Sequence, residues 1–337
     1  MKKFVLFCTL SILLMGSGFF AGCSSPQAQE ILAPLKIKVQ KSLYLSCAPI
    51  FIALEEGYFN EQALEVELVP FTRSSEAIPA IVQGDLDVLG GSMSLGFLNA
   101  IAQNATLKIV ADKGNEAKEH CAYTAIITRN DLVPQIASLA DLKGRNVTLN
   151  EANYEGYMWT RLLQTAGLTL KDLKITDVES SAMLDALMGG AIDFTTTAEP
   201  WLTRMLNSGD TQVWHSAIEI IPDFQTAVLL FGPSFLEKNR EAGVRFMISY
   251  LKGVRQYRQG KTDRNLEIVA KYTQLETDLL KEVCWPDIHA DGSINAESLV
   301  GYQDWGLSEG LLVSMVDEQQ FWEPYFINKA NQELGAP

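Results

Sequence analysis

Three groups of residues in this chain have side chains suited to gripping a small molecule without reacting with it. Tyr44 and Ser46 end a strand-like run, Ser92 and Ser94 stand in the loop 90–96 at an expected helix start, and Glu199, Pro200 and Trp201 follow a buried strand-like run. Hydroxyls and loop N–H groups can serve the oxygens of a ligand, and a carboxylate at a strand end, fixed by the proline after it, suits an amine or a ring N–H. Each group also has a plain structural use: the serines as helix N-caps, Glu199 as the cap of the helix that follows. Covalent chemistry finds little support. His120, His215 and His289 lie in separate segments, none in an HExxH or beside a GxSxG elbow. Asp85 and Asp87 form a DxD that is more simply a turn entering a strand, and the acidic residues lack the order of a Ca²⁺ loop. Cys47, Cys121 and Cys284 have no CxxC spacing and no nearby His pair, so neither a zinc cage nor a disulfide framework is indicated. Buried free thiols are expected; should one bridge form, Cys47 with Cys121 is the expected pair. The chain therefore reads as a binding protein, with no enzyme activity, metal or cofactor expected.

Those residues need a scaffold, and the pattern around them supplies one. Residues 37–45 read as a strand, 49–57 as a helix opened by Pro49 and closed by Gly57, and Val66, Leu68 and Pro70 as a second strand with Glu65 and Glu67 on its wet face. Strand, helix, strand implies a parallel pair. The most informative feature is internal: Ile78, Ala80, Ile81, Val82, Gly84, Leu86, Asp87 and Val88 recur 106 positions later as Leu184, Ala186, Leu187, Met188, Gly190, Ile192, Asp193 and Phe194. Each copy is a short amphipathic helix, a glycine stop and a buried strand, and each ends in one of the loops named above. Two such loops could face one cleft between two lobes. Residues 109–110 and 123–128 read as strands, 138–149 as a turn and strand, and 154–166 as a helix stopped at Gly167. A run from Ala227 crosses back toward the first lobe, and 240–258 and much of 263–330 are helical, read as a cap on lobe one. The expected fold is α/β: two doubly wound lobes, 36–130 and 131–225, joined by crossover strands, with a return to lobe one and a helical C-terminal region over 226–337.

The first segment sets the compartment. Lys2 and Lys3 precede an apolar run over 4–14, and Ala21 and Gly22 stand before Cys23, followed by a polar stretch. This is the layout of a secretory leader, too short for a stable membrane span. It resembles the lipobox of bacterial lipoproteins, with Phe20 where Leu is usual. The resemblance implies a leader over 1–22, acylation of Cys23, and a lipidated tether over 23–35 that holds an extracytoplasmic domain to a membrane. Loss of Lys2 and Lys3 with that leader takes the formal charge from −14 to −16. Such a surface disfavours nucleic acid as a partner, which needs clustered Lys and Arg.

Four stretches together resemble a known family: "APIFIALEEGYFNEQALEVELVPF", "AIVQGDLDVLGGSMSLGFLNA", "DLKGRNVTLN" and "DALMGGAIDFTTTAEPW". In order and separation they are similar to the ABC solute-binding proteins for nitrate, sulfonates, taurine and thiamine pyrimidine precursors, over roughly residues 37–260. The resemblance implies a type II periplasmic-binding fold, a ligand clamped between lobes by hinge closure, ABC permease and ATPase subunits as partners, and a monomer. It places Asn153, Tyr154 and Glu155 at a ligand-facing helix start, with Tyr157 and Trp159 as packing residues. None of the predicted cleft loops contains Arg or Lys, so an aromatic, amine-bearing or heterocyclic ligand is expected ahead of an anion, a thiamine pyrimidine precursor first among them. Sulfonate, nitrate or another small organic solute is the alternative, as is a ligand-sensing lipoprotein with no transport role.

Overall fold

The computed structural model of the chain describes residues 33–71, 74–335 and 337, and of 74–76 the backbone alone. The expected leader, Cys23 and most of the tether lie outside the described residues. Residues 34–337 form one compact unit containing two five-stranded mixed sheets. The first sheet takes β1 (Leu35–Lys41), β2 (Leu64–Pro70), β3 (Val88–Ser92) and β4 (Lys108–Asn115), together with β10 (Gln225–Phe231). The second takes β5 (Thr124–Arg129), β6 (Asn146–Thr148), β7 (Lys174–Ile175), β8 (Phe194–Ala198) and β9 (Thr211–Ser216). Their strand orders, β2-β1-β3-β10-β4 and β7-β6-β8-β5-β9, are the same topology used twice. In each, four strands share one direction and the fifth, β10 or β5, runs antiparallel between two of them.

The internal repeat is the part of each sheet that fixes this order. Val88 pairs with Val39 of β1, and its counterpart Phe194 pairs with Val147 of β6. The aspartate before each does one job twice. Asp87 accepts from the Lys38 N–H at 2.8 Å while its own N–H donates to the Lys38 carbonyl; Asp193 accepts from the Asn146 N–H at 2.9 Å and donates to the Asn146 carbonyl. The carboxylate thereby satisfies a backbone donor just before the parallel ladder begins. Gly84 and Gly190, at φ 82° and 72°, end the preceding helices in the left-handed region that glycine tolerates best.

Packing follows the same logic. The helix Ala48–Glu55 buries six of its eight residues and packs on the long helix Arg240–Tyr257, and a buried Phe51 or Ile52 stabilises by about 2–3 kcal/mol each. The C-terminal region is more than a cap on lobe one. Its helix Asp263–Thr273 packs on Ala48–Glu55, but Thr277–Glu282 touches Trp201–Leu206 of the second lobe, and Ser298–Ser308 packs on Tyr154–Gln164. There the Trp305 indole donates to Thr160 Oγ1 at 3.0 Å and the Tyr302 hydroxyl to the Ala152 carbonyl at 3.1 Å. Tyr157, Phe224, Tyr302 and Trp305 form a ring cluster at this seam.

Two expectations need correction. The first crossing between sheets precedes Thr124, because β5 already pairs with β8 and β9, so a lobe boundary at 130 falls after a strand of the second sheet. The disulfide joins Cys121 to Cys284, not to Cys47, which is a buried free thiol beside the Ser42 hydroxyl at 3.1 Å. Sequence distance misled here: the C-terminal segment returns to the crossover, bringing Cys284 to a Cα separation of 5.8 Å, inside the range a bridge requires.

The two crossings are themselves paired. Glu116 N–H donates to the Phe224 carbonyl at 3.0 Å, and Asp223 N–H donates to the Glu116 carbonyl at 2.8 Å. The Glu116 side chain is 1% exposed, and neither carboxyl oxygen has a well-formed hydrogen bond. Burial raises its pKa to about 7, and the neighbouring Thr124 hydroxyl and the N–H groups of Tyr123 and Thr124 offset only part of that.

Cys121 and Cys284 close a loop of 163 residues, so the double serine variant should lose ~2–4 kcal/mol in denaturant unfolding; an unchanged midpoint would mean the bridge adds nothing. Glu116 binds its proton more tightly folded than unfolded, so stability should fall as pH rises from about 4.5 to about 7, by about 3 kcal/mol, and level off above. In Glu116→Gln that fall should be absent from urea titrations across the range; an identical slope in both proteins would assign it to other groups.

Candidate functional site

The loops after β3 and before the helix Tyr154–Gln164 meet backbone to backbone. Ser94 and Asn153 form an antiparallel bridge, Leu95 N–H donates to the Ala152 carbonyl at 2.9 Å and Tyr154 N–H to the Met93 carbonyl at 3.2 Å. A second contact crosses between the lobes where the Tyr44 hydroxyl meets the Ser180 hydroxyl at 3.3 Å. Between these contacts lie two adjoining cavities, of about 50 Å³ and 120 Å³, that share Ser42, Tyr44, Ser92, Glu155, Ser180 and Met183. They are one cleft with an inner and an outer part.

The inner part draws on both sheets. Ser46, Gly90, Lys113, Thr226 and Ala227 come from the first lobe, and Tyr154, Thr196, Thr197 and Ala198 from the second, with Tyr123 at the crossing. The outer part adds Gln40, Ser94, Thr148, Asn150, Asn153, Asp177 and Glu179. Hydroxyls dominate, and the tyrosines give it flat apolar walls. Tyr154 reaches the Thr124 hydroxyl at 3.2 Å. Burial holds the Tyr123 and Tyr154 phenols well above the usual tyrosine range, so both remain neutral donors at any physiological pH.

Seven of the nine predicted residues, Tyr44, Ser46, Ser92, Ser94, Asn153, Tyr154 and Glu155, line this cleft. Several also have structural partners: Ser94 Oγ accepts from Gly96 N–H at 3.0 Å as a helix N-cap, and Glu155 Oε2 accepts from Asn150 N–H at 2.8 Å. Glu199 and Trp201 are placed differently. The Glu199 carboxylate, 2% exposed, accepts from Thr203 N–H at 3.0 Å, the Thr203 hydroxyl at 2.8 Å and Cys284 N–H at 3.1 Å. Burial raises its pKa, against the lowering by those hydrogen bonds. It caps the helix Trp201–Leu206 and ties it to the C-terminal segment, and it lines neither cavity. Trp201 stacks beneath the Arg204 guanidinium, 4.9 Å from the ring centre, outside the cleft.

The sequence reading of the cleft as free of basic residues does not hold. Lys113 is 2% exposed, lines the inner cavity, and donates to Ser46 Oγ at 2.6 Å. It escapes notice in sequence because "ADKGN" resembles a turn. In the fold those residues end β4, whose ladder with β10 shifts register between Gln225 and Ala227 and again between Ala227 and Val228. The neighbouring Asp112 points the other way and anchors that end. It accepts from Gly114 N–H at 2.7 Å, Gln225 Nε2 at 2.7 Å and His289 N–H at 2.8 Å. Tyr123, Ser42, Ser180, Thr196, Thr197 and Thr226 were likewise missed; only the second copy of the repeat, which ends in the β8 threonines, pointed toward any of them.

Comparison with known proteins matches this architecture. A candidate binding protein of Brucella abortus (strain 2308) is 25% identical over 295 residues, covering 82% of this chain and 87% of its own. The alkanesulfonate-binding protein of Xanthomonas axonopodis pv. citri, solved with MOPS bound, superposes with a TM-score of 0.70 at 14% identity, over 86% of this chain and 99% of that one. The periplasmic nitrate-binding protein of Synechocystis PCC 6803 gives 0.70 at 14%, over 91% of each chain. A desulfurization enzyme shares the fold as well, at 0.64 and 12%, over 89% of this chain and 99% of that one. Residues 45–259, from the turn below Tyr44 through both lobes to the end of the long helix, match the family model described as NMT1/THI5 like, and the chain belongs to that family.

Proposed function

We propose that this protein is the solute-binding component of an ABC importer, held outside the cytoplasm by a lipid on Cys23, and that it captures one small organic molecule in the cleft between its lobes. The observation that supports this reading is the lining: hydroxyls and tyrosines from both sheets converge on one space, as expected of a site that forms by bringing two halves together. The binding roles named for its relatives agree with it. Ligand affinity would come from the closed arrangement, in which Tyr44 meets Ser180 and the Ser94 loop meets Asn153. Tyr44, Tyr123 and Tyr154 suit a flat body, which keeps heterocycles and aromatic rings in view. With Glu199 turned away, nothing in that preference requires an amine.

Catalysis of the kind a shared fold can host is a separate matter decided by the site. In a thermal-shift screen of the full-length, detergent-purified protein against heterocycles, aromatic acids, sulfonates, nitrate and amines, a true ligand at about 100 times its Kd should add ~2.7 kcal/mol of stability. Small-angle scattering with that ligand should show a smaller radius of gyration than without it. Binding with superimposable profiles would remove hinge closure, and chemical turnover of a bound probe would remove the pure binding role.

A further inference from the structure

Lys113 sits in a setting that its structural surroundings do not explain. Its amino group lies almost wholly out of water in the inner cavity, and among the described residues its one hydrogen bond is to the neutral Ser46 hydroxyl. Among the described residues no carboxylate is paired with it. The candidates are all otherwise engaged. Asp112 is turned to the opposite face by its bonds to Gly114, Gln225 and His289, Glu155 is bonded to the Asn150 N–H, and Asp177 and Glu179 of the outer cavity have interactions of their own. A buried charge without a counter-charge is destabilising and is retained where something else supplies the opposite sign.

The chain also makes room for it. A Cβ built on Gly90 of β3 would fall 2.9 Å from Lys113 Cε and 3.1 Å from Cδ. The absent side chain at Gly90 is the slot through which the lysine arm crosses the sheet to reach the cavity.

We infer that Lys113 is the charge anchor of the ligand site, and that the solute is a singly charged organic oxyanion. Its acid group would sit on Lys113 beside Ser46, and its body would lie against the cleft tyrosines. This rests on the cleft being the solute site, and it narrows the ligand from any small polar molecule to an acid. Among the described residues lining the cleft Lys113 is the one cation, and a single lysine balances one negative charge, which disfavours phosphate esters and dicarboxylates.

The test uses the full-length protein and matched probes: benzoate with benzamide, nicotinate with nicotinamide, propanesulfonate with propanesulfonamide. Calorimetric titration of wild type, Lys113→Met and Gly90→Ala should show at least one acid binding wild type while its amide binds tenfold or more weaker. The carboxylate and sulfonate arms tell which acid group is used. Lys113→Met should weaken that acid at least tenfold. Gly90→Ala, which keeps the charge but crowds its arm, should weaken it in the same direction. Without ligand, Lys113→Met should melt no lower than wild type, since it loses an unpaired buried charge. Neutral probes binding wild type and Lys113→Met alike would overturn the anion anchor and leave the cleft as the site. No probe bound by wild type, with scattering unchanged throughout, would overturn the cleft reading and this inference with it.

Discussion

The chain passes between its two sheets twice, and the passing segments are hydrogen-bonded to each other through Glu116, Asp223 and Phe224. Nearly everything about the site depends on that paired crossing. Because β10 must enter the first sheet antiparallel between β3 and β4, the end of β4 is drawn over the cleft, and with it Lys113. Because β5 enters the second sheet in the same way, beside β8, the threonines of β8 face back across the gap. Two copies of one topology, joined at a double strand, place the ends of their parallel strands toward a shared space, where loop N–H groups and hydroxyls collect.

The C-terminal region qualifies how freely the halves can move. The Cys121–Cys284 bridge and Glu199, bonded to the Cys284 N–H, fasten it at the crossing and to the second lobe. The ring cluster around Tyr302 and Trp305 fastens it again on the helix after Asn153. The closure proposed above would therefore be a small rotation about the crossing, not a wide separation of lobes. The buried carboxyl of Glu116 lies at that axis, where its desolvation is a local cost borne by the fold.

The lobes and the repeat were legible in the sequence because they are local: a helix, a glycine at positive φ and a strand, with Asp87 and Asp193 each satisfying a neighbouring strand. The cleft loops were legible for the same reason, since polar residues at strand ends mark themselves. What could not be read was long-range. Cys284 reaches Cys121 only because 163 residues of sequence fold back. Glu199 stands at a strand end like a ligand contact, yet its orientation is decided by Thr203 and Cys284, which no pattern near it announces. Lys113 resembles a turn lysine until β10 pairs beside it, and its place in the cleft removes the premise of the sequence argument about the ligand's charge.

The most direct measurement of this account is a crystal structure of the protein with its highest-affinity probe bound. The account predicts one molecule in the inner cavity, touching Ser46 and Lys113 from the first lobe and Tyr154 or Thr197 from the second. Density confined to one lobe, or to the separate cavity beside the disulfide at His120, Tyr257 and Trp285, would contradict it.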